Sequence, residues 1–383
     1  MLKAYYASTF EVDDQEAAIQ EILGQVDFSA LLENSIGILG CSLDYIAEKT
    51  VEALCRELPF EVVGGTTYCS AVCNEYGEDL LSLLVLTSDD VRFSCAVTEP
   101  LSQDTEARAK AAYDQALAAL PGKPAFGILL CPYLTSVSSD RQIKAFSEAS
   151  GNLPIFGSVM VDYTDVMRIP RTIYQGADFP ESAVILLVSG NIAPRFLLTT
   201  MPKSCFFKQE AIITSSADNV MKEVNNIPAR DYLVSLGLAT DAVFQPVPSV
   251  ALSVDTGDGG LPVARAIFAI SPEGEVVCGG DMPEGAVLGV GSIGKKDVFA
   301  STTEIAETML QAQDAHVALF FSCLARSITL GSQPLAEIEL FQSILKEKIP
   351  YLFMYSGGEL YPEVTDEMTY NKAHNDSIIV CIF

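Results

Sequence analysis

The stretch that decides the fold is Val317-Ala318-Leu319-Phe320-Phe321-Ser322-Cys323-Leu324-Ala325-Arg326. Its first five residues are apolar without alternation, the pattern of a strand covered on both faces, and the run stops at Ser322-Cys323. The spacing of Leu335, Ile338, Phe341 and Leu345 predicts a helix next. Pro350 then opens a second apolar run, Tyr351 to Tyr355, which stops at Gly357-Gly358-Glu359, and a last strand is expected from Ser377 to Phe383. Strand, helix and strand in that order make a right-handed crossover between parallel strands. Arg326 then falls just past a strand's carboxyl end. Glu359 falls beside a glycine pair that permits close backbone approach, which places its carboxylate to face a pocket.

The same order occurs twice upstream. The first unit reads as strand Lys3 to Ser8, a helix from about Asp13 with a capping-type start at Asp13 and Glu16, strand Ile36 to Cys41, a helix bearing Ala47, Thr50 and Leu54, strand Phe60 to Gly65 and strand Leu80 to Leu86. The second reads as strand Val91 to Val97, helix 104–120, strand Ala125 to Cys131, helix 138–149, strand Ile155 to Gly157 and strand Ala183 to Val188. The third is expected to open with a strand at Val298 to Ser301 and a helix bearing Ile305, Met309 and Leu310. In each unit the second strand ends in cysteine, at Cys41, Cys131 and Cys323, and a proline precedes the third strand. Between the second and third units the runs shorten and turn signals multiply, as at Asn225-Asn226, Gly257 to Gly260 and Pro272 to Gly274. The expected fold class is therefore α/β: repeated three-layer α/β units with mostly parallel or mixed sheets, and an antiparallel β-rich module in the middle. The units span about 1–90, 91–190 and 296–383, the module about 201–295, and the domains 1–200 and 201–383.

In such sheets ligands bind at the edge where the strands' carboxyl ends gather. That edge comprises Cys41-Ser42, Gly64-Gly65-Thr66, Cys131-Pro132, Gly157-Ser158, Cys323 to Arg326 and Gly357 to Glu359. Two longer excursions, Thr66 to Asp79 and Val159 to Phe179, leave it as functional loops or as simple edge hairpins.

Composition narrows the function class. With 23 basic and 50 acidic residues the net charge is -27, which opposes nucleic acid and anionic membranes as partners. No apolar run is long enough to cross a bilayer, and the N-terminus lacks a secretory pattern, so a cytoplasmic location is expected. The ten cysteines sit mostly inside apolar runs and read as reduced thiols. Cys69 and Cys73 form the one close pair, with two histidines in the whole chain, so neither a metal site nor a cofactor is expected.

Three short signatures carry a family resemblance: FSCLAR at 321–326, YSGGELYP at 355–362 and KAHNDS at 372–377. They resemble the FIST family of intracellular sensory proteins, whose C-terminal half has a Ser-Cys-x-x-Arg signature, a Gly-Glu after an aromatic strand and a His-Asn before the closing strand. Ala325 stands where that family usually has glycine. The resemblance implies a cytoplasmic sensor for a small molecule, an amino acid or small carboxylate; with no residues expected to be left over for an output domain, it would act through a partner protein or as a stand-alone binder. The expected ligand-binding set is Cys323, Arg326, Gly358, Glu359, His374 and Asn375 from these signatures, with Gly65 and Thr66 added from the first unit's part of the sheet edge.

The residues leave their roles open. Arg326 either grips a ligand carboxylate or pairs with an acid to tie down a loop. Glu359 is either the acceptor for a ligand amine or the partner of Arg326. Cys323 is a nucleophile if a cation activates it and a packing residue otherwise. His374 is a ligand contact or a turn stabiliser, and His316 a structural residue at a strand start. The competing functions are an enzyme using Cys323, His374 and Glu359, and a ligand-free interaction scaffold.

Overall fold

A computed structural model describes residues 2–73, 75–162, 169–238, 246–312, 315–345 and 348–383. Three mixed sheets of six strands each and one all-antiparallel sheet of seven hold the strands. In the first unit Leu2–Thr9 and Asn34–Cys41 flank Leu81–Ser88 antiparallel, and Glu61–Thr66 lies parallel to Asn34–Cys41. The second unit repeats this with Val91–Val97, Pro124–Cys131, Ile155–Val159 and Val184–Gly190. The third does so with Arg195–Thr199, Ala318–Cys323, Tyr351–Ser356 and Ile378–Ile382.

The opening strand of the third unit is thus Arg195–Thr199, and the expectation of a strand at Val298 to Ser301 is corrected: those residues lie in the helix Lys295–Leu310. Val298, Ser301, Ile305 and Met309 are buried at helical spacing, and the Asp297 carboxylate closes the first turn by accepting from the Gly294 amide at 3.0 Å. Asp14, next to the expected Asp13, caps the first helix by accepting from the Ala17 amide. Asp104 and Ser138 cap Thr105–Ala119 and Ser139–Ser150 in the same way.

The excursions are hairpins, and each is given away to a neighbouring unit. Ser70–Val72 and Glu75–Gly77, from the first unit, extend the third unit's sheet beside Tyr351–Ser356. Thr172–Tyr174 and Ala177–Phe179, from the second, extend the first unit's sheet beside Glu61–Thr66. Gly358–Val364 and Thr369–His374, from the third, extend the second unit's sheet beside Ile155–Val159. The exchange is cyclic, and the ends of the three receiving strands are stitched in the same sense. The Thr66 carbonyl accepts from the Val161 amide, the Val159 carbonyl from the Gly357 amide, and the Tyr355 carbonyl from the Thr67 hydroxyl.

Each sheet turns one face to a shared core and the other to its own helices. Ile36, Ile38, Phe126, Ile128, Leu319 and Phe321 meet in the shared core, where the rings of Phe156 and Phe321 stack at 5.4 Å. Leu39 and Cys41, Leu129 and Cys131, and Ala318 and Phe320 face the three helical layers. Strand side chains alternate, so this sets a register. Ser322 is the counterpart of Cys41 and Cys131, and Cys323 lies one residue further on, facing the other way. The three cysteines all end their strands, but the expected equivalence fails for Cys323.

The middle module is an antiparallel barrel inserted between Arg195–Thr199 and Lys295–Leu310. Its strands run in the order Ala211–Ala217, Val287–Ser292, Val250–Asp255, Val263–Ile270, Val276–Cys278, Val220–Val224, and the last pairs with the first to close the ring. The helix Ala229–Ser235 adds Tyr232 and Leu233 to its core.

Backbone approach is tightest at Gly157, where a β-carbon would stand 1.9 Å from the Leu129 carbonyl oxygen, whereas Gly24, inside the first helix, has nothing within 4 Å. We expect Gly157→Ala to cost more than about 2 kcal/mol in urea unfolding, through forced strand separation. Gly24→Ala should gain up to about 1 kcal/mol.

Candidate functional site

Arg326 does not reach the sheet edge. It is fully buried in the helical layer of the third unit, where Nε and Nη2 donate to Glu337 Oε1 at 2.9 and 2.5 Å. Nη1 donates to Ser301 Oγ at 3.0 Å and Nη2 to Thr302 Oγ1 at 2.9 Å. Glu337 Oε2 accepts from Ser322 Oγ at 2.9 Å and from the Tyr355 hydroxyl at 3.2 Å. Its fork is used up by Glu337, so of the two readings of Arg326 the geometry is that of the tie. Ala325 lies in the regular helix Leu324–Thr329 that follows Cys323 directly, and no separate turn presents Arg326.

Glu359 is not beside a loop but inside a strand, directly opposite His374 in the hairpin. The Ser377 hydroxyl donates to its Oε2 at 2.6 Å, and Oε1 has no partner. Burial raises its pKa well above the ordinary carboxylate range, against the Ser377 bond and the Arg326 charge. His374 Nδ1 accepts from the Ala264 amide of the barrel at 3.4 Å. Burial, with the charges of Arg265 and Lys372, lowers its pKa to about 3 and keeps it neutral.

The Asn375 amide donates to the Ala264 carbonyl and its Nδ2 to the Gly357 carbonyl at 3.2 Å, which leaves Oδ1 buried, unpartnered and against Gly279. Gly358 is sealed between Val159 and His374. Gly65 and Thr66 have other immediate neighbours: Met160 packs over Gly65, and Thr66 Oγ1 accepts from the Arg171 amide at 2.9 Å.

Cys323 faces a cavity of about 230 Å³ between the third unit and the barrel. Its walls are apolar: Val247, Val250, Ile267 and Phe268 from the barrel, Leu324, Ala325 and Ile328 from the helix after Cys323, and Tyr133 from the second unit. The floor is Ser356, Gly357 and Asp376. Asp376 holds a left-handed backbone, φ 50°, is 2% exposed, and its Oδ2 is buried without a partner. Burial raises its pKa from 3.8 to about 7, with Arg326 pulling the other way. The Cys323 thiol is pushed well above its usual range by burial and then by the charges of Glu359 and Asp376, so it is not an activated thiolate.

Tyr133, Phe268 and Gly357 also border a larger cleft of about 700 Å³, walled by residues 132–142 on one side and by Asp218, Asn219 and 277–281 on the other. Arg265 clasps its rim. It is almost wholly buried, donates to the Ala373 carbonyl at 2.7 Å and to Asp140 Oδ1 at 2.6 Å, and so joins barrel, second unit and the third unit's hairpin. Among the described residues no group of three or more His, Cys, Asp or Glu side chains could hold a metal ion.

Four participants escaped the sequence reading. Asp376 sits inside the KAHNDS signature, where His374 and Asn375 carry the stronger signal. Glu337 had a signal, being an acid four residues before Phe341 on the apolar face of the helix Ala336–Leu345. Arg265 stands inside an apolar strand, which flags a buried charge. Phe268 had no signal at all.

Three α/β units exchange hairpins around one core, with a barrel set into the third and a cavity between the barrel and that unit. The chain belongs to the FIST family: residues 35–227 match the FIST N domain and residues 216–362 the FIST C domain. A comparison with curated proteins finds no match. Among solved structures the chain is similar to the crystal structure of cyanuric acid hydrolase from A. caulinodans, at 11% identity and a TM-score of 0.34, covering 100% of this chain and 98% of that one. A second cyanuric acid hydrolase structure, described as evolutionary innovation by structural concatenation, is 12% identical over 76% of this chain and 99% of that one, with a TM-score of 0.27. Likeness that slight carries no argument about this chain's activity.

Two predictions follow from the charges. Arg326→Ala strands Glu337 in the helical layer and should cost about 3 to 5 kcal/mol in denaturant unfolding. Asp376 binds a proton more tightly folded than unfolded, so it makes stability fall as pH rises from 3.8 to about 7, and adds no further slope above that. Asp376→Asn should flatten that part of the stability profile and raise the melting temperature at pH 8, measured by thermal unfolding across pH 4 to 8.

Proposed function

We propose that this protein is a small-molecule sensor whose ligand occupies the cavity between the barrel and the third unit. FIST domains are sensory and signalling domains. The observation that carries the reading is the cavity itself: apolar walls closing on a buried carboxylate oxygen that no protein group satisfies. Buried polar atoms are normally paired, and an exception at a cavity floor is accounted for by a ligand or water that completes it.

The position suits signalling. One wall is barrel and the other is the helix Leu324–Thr329, so a ligand touches both sides of the seam and changes how they bear on each other. A partner protein reading that seam is the simplest output. The enzyme alternative using Cys323, His374 and Glu359 is disfavoured by a protonated thiol and by a histidine whose Nδ1 is spent on Ala264.

The test is a thermal-shift screen with small molecules carrying one apolar body and one polar end. A ligand at about a hundredfold its Kd should stabilise the protein by about 2.7 kcal/mol. Ala325→Leu projects a larger side chain from the cavity wall; it should abolish the shift while leaving the unliganded melting temperature nearly unchanged. Unaltered ligand shifts in Ala325→Leu would place the binding site elsewhere.

A further inference from the structure

The cavity's charge inventory says what kind of ligand fits. Among its described lining residues Asp376 is the one charged side chain, and no described cation accompanies it. The two buried arginines nearest in the fold are both committed. Arg326 is held by Glu337, Ser301 and Thr302 in another layer, and Arg265 by Asp140 and the Ala373 carbonyl. A ligand carboxylate entering the cavity would therefore be desolvated beside Asp376 with nothing to neutralise it. A cationic head meets the opposite situation. Asp376 Oδ2 is a buried acceptor without a protein partner, and Asp376 lines the same cavity as Tyr133 and Phe268, whose ring centroids are 6.3 Å apart. The net charge of -27 also concentrates small cations near the molecule.

We propose that the ligand is an organic monocation, a primary amine or amidine on one ring or one short branched chain, that carries no carboxylate. The inference rests on the small-ligand reading of this cavity and departs from the amino acid or small carboxylate implied by the resemblance. Its volume of about 230 Å³ lies below the roughly 300 to 1,000 Å³ of ordinary ligand pockets, which limits the body to a single ring or its equivalent. The head group donates to Asp376, and the body lies between Ile267 and Phe268 on one side and Leu324 and Ile328 on the other.

The experiment is calorimetric titration of the full chain with benzylamine, phenethylamine and isoamylamine, each beside the carboxylate, alcohol and amino-acid analogues of the same body. At least one amine should bind, and its carboxylate and amino-acid analogues should bind at least tenfold more weakly. Asp376→Asn, which the left-handed backbone tolerates, should weaken that amine at least tenfold and leave the matched alcohol unchanged. Ala325→Leu should remove both. No binding by any of the amines at millimolar concentration overturns the inference, as does tighter binding of a carboxylate or amino acid than of its amine. If alcohols and carboxylates bind as well as amines and Ala325→Leu abolishes all of them, the cavity reading stands and the cationic specificity falls. If Ala325→Leu changes nothing, both fall together.

Discussion

Every α/β unit here ends its sheet on a strand with an unpaired edge, and the need to cover that edge shapes the molecule. Glu61–Thr66, Ile155–Val159 and Tyr351–Ser356 each pair with a parallel neighbour on one side only. Their free amides and carbonyls are a template for aggregation unless something pairs with them. A hairpin supplied by a neighbouring unit does so in each case, and because the donation is cyclic no unit is complete without the other two. The same geometry draws the strands' carboxyl ends together, through the Thr66–Val161, Val159–Gly357 and Tyr355–Thr67 bonds. The candidate site sits where one corner of that ring meets the barrel.

Buried charge is handled in two ways within one unit. Glu337 is enclosed and fully satisfied by Arg326, Thr302, Ser322 and Tyr355, so it serves as an internal tie between strand and helices. Asp376 and Glu359 are equally enclosed but left with an unpartnered oxygen each. A satisfied network rigidifies, whereas an unsatisfied one keeps the free-energy cost of its unpaired group. That contrast separates the residue chosen for its charge, Arg326, from the one that faces the cavity, Asp376.

The periodicity of the chain determined a good deal by itself. The succession of strands and helices in the first two units, the helices beginning at about Asp104 and Ser138, the antiparallel character of the middle module and the buried strands around Cys323 all follow from patterns a few residues long. Local patterns report local structure, because alternation and helical spacing are set by backbone geometry within one element. The short signatures hold three of the residues that line the cavity, Cys323, Gly357 and Asp376.

Partnership was decided by the tertiary structure alone. Nothing within residues 70–77 says that this hairpin pairs with Tyr351–Ser356, nor does the run 195–199 announce that it opens a unit resumed about a hundred residues later. The one-residue slip that turns Cys323 to the cavity while Cys41 and Cys131 face helices is a matter of register, which alternation along a single strand does not fix. Arg326 met Glu337 in place of a ligand because a charge pairs with whatever acid the packed helices bring within reach. The orphan oxygen of Asp376 exists only because barrel, third unit and second unit close around it. Burial is a property of distant surfaces brought together, and no stretch of sequence carries it alone.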